Sequence, residues 1–227
     1  MSIDFEPDDN VVEIARRTAA FVQEVVLPAE EAESGVLHHG PQLLRRDLQD
    51  AARIWGVFAP HVPEVRGGLG LDLRGQAVVF EEAGYSLFGP LAINGAAPDE
   101  GNMHLLEVVA DEQQKARYLG PLARGDIRSC FAMTEPAPGA GSDPDLLATV
   151  ATRVRGGWRL DGRKWFITGA RGAELLICMA RTAGAPGQAG GAGATMFLVD
   201  ADNPGVELVR DIPRDSTMRK CVLDPPG

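Results

Sequence analysis

From Phe131 to Ala170 the chain is confined to strands, turns and one irregular loop. The stretch opens on a short apolar run, Cys130 to Met133, that ends in a hydroxyl and a carboxylate, Thr134 and Glu135. Pro136-Ala-Pro-Gly-Ala-Gly follows. It is neither helix nor central strand, because proline has no N–H to donate and glycine loses the most entropy on ordering. Ser142 and Asp143 close the loop. Small residues let backbone N–H groups approach a polar or anionic ligand, and Ser142 adds a hydroxyl. Taken alone, the residue types fit a plain surface connection better than a ligand cradle.

Period-two runs come next. Thr149 to Arg155 alternates, Gly156-Gly157 and Asp161-Gly162 read as two-residue hairpin turns, and Arg163-Lys-Trp-Phe-Ile-Thr reads as a further strand. The pattern predicts an antiparallel meander. Strict alternation would put Phe166 and Thr168 on one face and Trp165 and Ile167 on the other. A ring beside a hydroxyl suits a flat heteroaromatic ligand and suits a cross-strand packing pair equally.

These residues resemble the middle domain of the acyl-CoA dehydrogenase family. The matching runs are Ala132-Met-Thr-Glu-Pro, Gly141-Ser-Asp and Asp161-Gly-Arg-Lys-Trp-Phe-Ile-Thr-Gly-Ala, in the family's order and separation. Two features depart from the family pattern. Ala137, Pro138, Gly139 and Ala140 stand between Glu-Pro and Gly-Ser-Asp, where the family more often has two residues. Phe166 aligns with the family's flavin-contacting tryptophan, so an aromatic ring remains without the indole N–H.

The first half is helical by periodicity. Val11 to Leu27 carries an apolar stripe and is expected to end at Pro28. Pro41 to Trp55, Leu73 to Tyr85, Met103 to Ala110 and Asp111 to Leu122 follow as helices, the last opened by an Asp111–Gln114 capping box. Glu81 and Glu82 are adjacent, so they diverge around the helix and form no acid–base pair. His38 and His39 lie in a loop and do not suit a metal. Pro63-Glu-Val-Arg-Gly-Gly-Leu-Gly-Leu, Glu81-Glu-Ala-Gly-Tyr-Ser, Ala97-Pro-Asp-Glu-Gly-Asn-Met and Tyr118-Leu-Gly-Pro-Leu-Ala-Arg-Gly resemble the family's N-terminal domain. Beyond Ala170, Glu174 to Arg181, Thr195 to Asp200 and Val206 to Arg210 read as strands, Thr182 to Ala194 as an Ala/Gly loop and Arg210 to Gly227 as an irregular tail. The fold class is therefore expected to be α+β: an all-helical domain over 1–124, then an antiparallel β-barrel domain over 125–227.

The net charge of −10 argues against nucleic acid or an anionic membrane as partner. Cys130, Cys178 and Cys221 have no metal spacing and read as reduced thiols. The acidic N-terminus carries no basic-then-apolar leader, so a cytoplasmic protein is expected.

The resemblance implies an FAD enzyme that removes hydrogens from the α and β carbons of an acyl-CoA thioester and passes electrons to an electron-transfer flavoprotein or a similar acceptor, as a homo- or hetero-oligomer. It implies that Phe131 and Met133 line the flavin ring, that Thr134 hydrogen-bonds it and that Gly141 and Ser142 meet the pyrophosphate. Ser142 would also lie near bound CoA. Phe166 would pack on the ring, with Ile167 and Thr168 completing the edge. Glu135 belongs to a structural turn in that pattern. The family's base lies in a later helical domain, so the chain is expected to be a truncated enzyme without its base. The alternative is a non-catalytic flavin- or acyl-CoA-binding partner subunit or remnant.

Overall fold

The computed structural model describes residues 6–33, 42–137, 139, 141–182, 193–212 and 220–224. His38 and His39, most of the Ala/Gly loop, and residues 213–219 and 225–227 of the tail lie outside them. The chain divides into two compact units, Met1–Asp126 and Ile127–Gly227.

The first unit is helical. Helix α1 (Asp9–Phe21) buries Val11, Ile14, Ala15, Thr18 and Phe21, the three- and four-residue spacing of one helix face. It does not stop at Pro28. A π-helical turn, Val22–Val26, intervenes, and α2 (Leu27–Ala32) starts with Pro28 in its first turn. A proline lacks the N–H that a helix interior needs, but the first turn of a new segment makes no such demand. The same device recurs downstream. After α7 (Glu112–Gln114), a π turn at Lys115–Leu119 precedes the final helix of this unit (Gly120–Ala123), which carries Pro121 in its first turn.

Between them lie α3 (Gln42–Trp55), α4 (Leu73–Ala83), α5 (Gly89–Ala92) and α6 (Asp99–Val109). Helix α6 begins four residues before the expected Met103. The Asp72 side chain caps α4 by accepting from the Gly75 N–H at 2.9 Å, and the Asp111–Gln114 capping box is formed. Phe21, Phe88, Ile93, Leu106 and Leu122 are fully buried. A buried polar network ties helix ends together. Arg45 donates to Gln49 Oε1 (3.0 Å) and the Gly125 carbonyl (2.9 Å), Gln49 donates to Asn94 Oδ1 (3.3 Å), and Asn94 donates to the Leu122 carbonyl (3.0 Å). Carbonyls at a helix end that lack an intrahelical donor are satisfied in this way.

Among the described residues the second unit has eight strands: β1 (Ser129–Ala132), β2 (Val150–Val154), β3 (Gly157–Asp161), β4 (Lys164–Thr168), β5 (Leu175–Thr182), β6 (Ala194–Asp200), β7 (Glu207–Ile212) and β8 (Lys220–Asp224). Strand β7 covers the strand expected at Val206–Arg210 and runs on to Ile212, and β8 falls in the tail expected to be irregular. The sheets are open, and the five-stranded one is mixed, which corrects the expected antiparallel barrel. Strand β5 is the hub: β6 runs antiparallel along one edge, while β1 and the start of β2 run parallel to it along the other. The chain leaves β1, passes through three strands and returns in the same direction, so the pairing has to be parallel. A three-stranded sheet, β4-β8-β7, completes the unit.

The meander is also corrected. Strands β2 and β3 form the expected hairpin, but β4 pairs with β8 and not with β3. Asp161-Gly162 is a crossing between sheets. Gly162 is needed there for close approach: a Cβ would fall 2.3 Å from Thr149 Oγ1 and 2.7 Å from Thr149 Cα. No helix among the described residues is long and apolar enough to cross a membrane.

Candidate functional site

The apolar run into Thr134 places Cys130 and Ala132 in the core with Ile167, Ala170, Ala173 and Leu176, and leaves Phe131 and Met133 half-buried. The ladder ends at Ala132. Residues 133–135 are then held by polar groups. The Trp165 N–H donates to the Thr134 carbonyl at 3.0 Å, and the Thr134 hydroxyl donates to the Trp165 carbonyl at 2.5 Å. With its proton used there, the Thr134 oxygen has only acceptor capacity left. The Glu135 N–H donates to the Gly141 carbonyl at 3.1 Å, which brings Gly141 and Ser142 back beside the end of β1. Gly141 adopts φ 56° and would meet nothing within 4 Å on gaining a Cβ. Ser142 is exposed, and its hydroxyl has no partner among the described residues.

Strand β4 breaks its alternation. The register against β8 shifts between Lys164 and Ile167, and Phe166 sits at φ 56°, a left-handed conformation that a bulky side chain rarely holds. Lys164 and Ile167 therefore both point inward although they are three residues apart. Phe166 is turned out, 40% exposed, with its ring 4.5 Å from that of Trp165. This corrects the strict two-face assignment. Strain of this kind costs about 1–3 kcal/mol and tends to sit at ligand-contacting positions. The Ile167 side chain belongs to the core at 1% exposure, so only its backbone is left for a ligand. The Thr168 hydroxyl is half-buried and without a partner among the described residues.

The anchor of this arrangement is a pair that sequence reasoning did not assemble. Lys164 Nζ lies 2.7 Å from Glu135 Oε1, with the two side chains 3% and 2% exposed. The carboxylate also accepts from the Ala148 N–H (2.6 Å), the Thr149 N–H (3.0 Å) and the Thr149 hydroxyl. Burial raises the Glu135 pKa, but the donors from Lys164, Thr149 and Ala148 outweigh it and hold the pKa down to about 2. One signal was available. Of 22 basic residues only Lys115, Lys164 and Lys220 are lysines, and a lysine in an arginine-rich chain marks a place for a compact cation.

A separate cavity of about 520 Å³ lies within this unit, lined by Trp158, Phe197, Leu176 and Cys178 and reaching Thr149 and Lys164. Phe131, Met133, Thr134, Gly141, Ser142, Phe166, Ile167 and Thr168 do not line it. Burial pushes the Cys178 thiol pKa up, which makes it a poor nucleophile. No group of three His, Cys, Asp or Glu residues among the described residues could hold a metal.

Residues 8–126 match the family model "Acyl-CoA dehydrogenase, N-terminal domain" and residues 130–224 match "Acyl-CoA dehydrogenase, middle domain". The chain belongs to the acyl-CoA dehydrogenase family. It is 35% identical over 213 residues to "Acyl-CoA dehydrogenase family member 11" of Mus musculus, covering 88% of this chain and 26% of the relative. It is 34% identical over 223 residues to "Probable acyl-CoA dehydrogenase FadE2" of Mycobacterium tuberculosis, covering 93% and 53%. Among solved structures, a glutaryl-CoA dehydrogenase from Mycobacterium smegmatis in complex with FADH2 superposes with a TM-score of 0.75 at 27% identity, covering 97% of this chain and 53% of that one. The chain thus spans about half the length of FadE2 and about a quarter of the mouse acyl-CoA dehydrogenase relative.

Proposed function

We propose that this chain supplies the flavin-facing part of an FAD-dependent acyl-CoA dehydrogenase acting on an acyl-CoA thioester. The observation that carries the reading is the bulge that turns Phe166 outward, at the family's aromatic position, on a strand hydrogen-bonded to Thr134. FAD bound there would accept the hydride from the β carbon. The residues present suit the group. Phe166 offers a ring face, and the half-buried Phe131 and Met133 offer apolar contact. Thr134 offers an acceptor oxygen and Thr168 a hydroxyl donor. Gly141 and Ser142 offer a side-chain-poor loop with one hydroxyl for a diphosphate, and Ser142 also suits CoA. Ile167 contributes through its backbone.

The α proton needs a base within hydrogen-bond reach. Glu135 does not serve, because four donors already hold its carboxylate and its pKa lies far below neutrality. We place the base outside these segments, in further sequence or in a partner chain of a homo- or hetero-oligomer, and the electron acceptor in an electron-transfer flavoprotein or a similar protein. The test is a visible spectrum of the desalted chain with added FAD, followed by anaerobic addition of acyl-CoA. A retained flavin band is expected. Bleaching by acyl-CoA would show that a base is present. Failure to take up FAD would refute the flavin reading.

A further inference from the structure

We propose that Lys164 and Glu135 are positioning residues for flavin binding, a clamp that sets Met133, Thr134 and Glu135, with Gly141 beside them, in the shape the cofactor meets. The inference rests on the flavin reading above. The segment from Met133 to Glu135 lies beyond the β1 ladder, so sheet hydrogen bonds do not fix it. Thr134 is tied to the Trp165 backbone, and the residues on either side of it converge on one buried charge pair. Lys164 Nζ donates to Glu135 Oε1 at 2.7 Å and to the Met133 carbonyl at 3.0 Å, spanning the residue that carries the Thr134 hydroxyl. Glu135 gathers donors from Ala148 and Thr149 across the loop, and its own N–H holds Gly141. The loop folds directly over the carboxylate: a Cβ on Gly139 would lie 2.6 Å from Glu135 Oε2. Thr134 is therefore flanked by two residues held at this pair, Met133 through its carbonyl and Glu135 through its carboxylate, and Gly141 hangs on the Glu135 backbone.

Magnitudes favour placement over stability as the role of the pair. Two charges withdrawn from water gain back little more than their desolvation cost. An apolar pair could not satisfy the Met133 carbonyl and the Ala148 and Thr149 donors together. A cation with three donors opposite a carboxylate with several acceptor sites can. Neither residue needs to touch the cofactor, because each acts through the backbone it holds.

The experiment is an FAD titration of the 227-residue chain, read by flavin fluorescence and by the visible circular dichroism of the bound flavin. It is run at a temperature where near-ultraviolet circular dichroism shows every variant folded. Lys164→Met is expected to weaken binding by about tenfold or more and to alter the induced dichroism. Thr149→Val, which keeps the ion pair and removes one donor, should weaken it less. Arg171→Ala removes the exposed pair with Asp211 in the same unit and should change neither signal. Folded Lys164→Met or Thr149→Val chains that bind FAD with wild-type affinity and dichroism would overturn the clamp while leaving the flavin reading intact. No uptake by the wild-type chain would overturn both. If Lys164→Met does not fold, Thr149→Val decides.

Discussion

Acid should weaken the second unit through Glu135 in a calculable way. Its carboxyl ordinarily titrates near 4.5 and is held in the folded chain at about 2. At about 1.4 kcal/mol for each pH unit, the folded state gains about 3 kcal/mol from the ionised carboxylate at neutral pH. Because the folded pKa is the lower one, that gain is complete above pH 4.5 and is lost as pH falls toward 2. Roughly 2 kcal/mol should be gone by pH 3. The assay is urea unfolding in a Trp55→Phe background, in which Trp158 and Trp165 report on the second unit alone. Glu135→Gln is the reference that cannot titrate. The stability gap between the Glu135 chain and the Gln variant should narrow by about 2 kcal/mol between pH 6 and pH 3. A gap that stays constant or widens over that range would refute the assignment of a buried, ionised, fully hydrogen-bonded carboxylate.

Three further outcomes are expected. Gly162→Ala drives a methyl group against the Thr149 backbone and should destabilise the second unit by about 2 kcal/mol or more in urea unfolding, with Gly157→Ala, whose Cβ would meet nothing within 4 Å, as the mild control. His61 has both ring nitrogens buried without partners, and burial pushes its pKa down to about 4. The unfolded chain therefore binds the proton more readily between pH 6.5 and 4. Stability of the helical unit should fall across that window, and His61→Phe should abolish the dependence in thermal melts. Asp111→Ala removes the reciprocal cap with Gln114 and should cost about 1 kcal/mol, read as a lowered melting temperature of the helical unit.

Local chemistry was legible in the sequence where it acts over a few residues. The Asp111–Gln114 cap, the β2–β3 hairpin and the buried stripe of α1 each follow from spacing alone. Reading failed where a distant partner decides. Asp161-Gly162 carries a hairpin signal, yet its glycine answers to Thr149. The parallel pairing of β1 with β5 joins residues 46 apart (Ser129 with Leu175), and no local pattern encodes it. The two faces of β4 were misassigned because the Phe166 bulge breaks the period on which the assignment rested. The residues proposed to face a cofactor were named by resemblance. The Lys164–Glu135 pair behind them was not, because its members are 29 residues apart and meet only once the strand crosses between sheets.

The two π turns leave the first unit sensitive to changes in length. Each successive residue rotates a helix by about 100°, so the turn at Val22–Val26 sets the angular phase of everything that follows it. Glu30 depends on that phase: its carboxylate accepts from the Ser86 hydroxyl and from the Leu87 N–H at 3.1 Å. Deleting one residue from the turn would restore regular helix there. It would also move Pro28 into a position where its missing N–H is required. Substitutions in this segment should therefore be tolerated far better than a single-residue deletion.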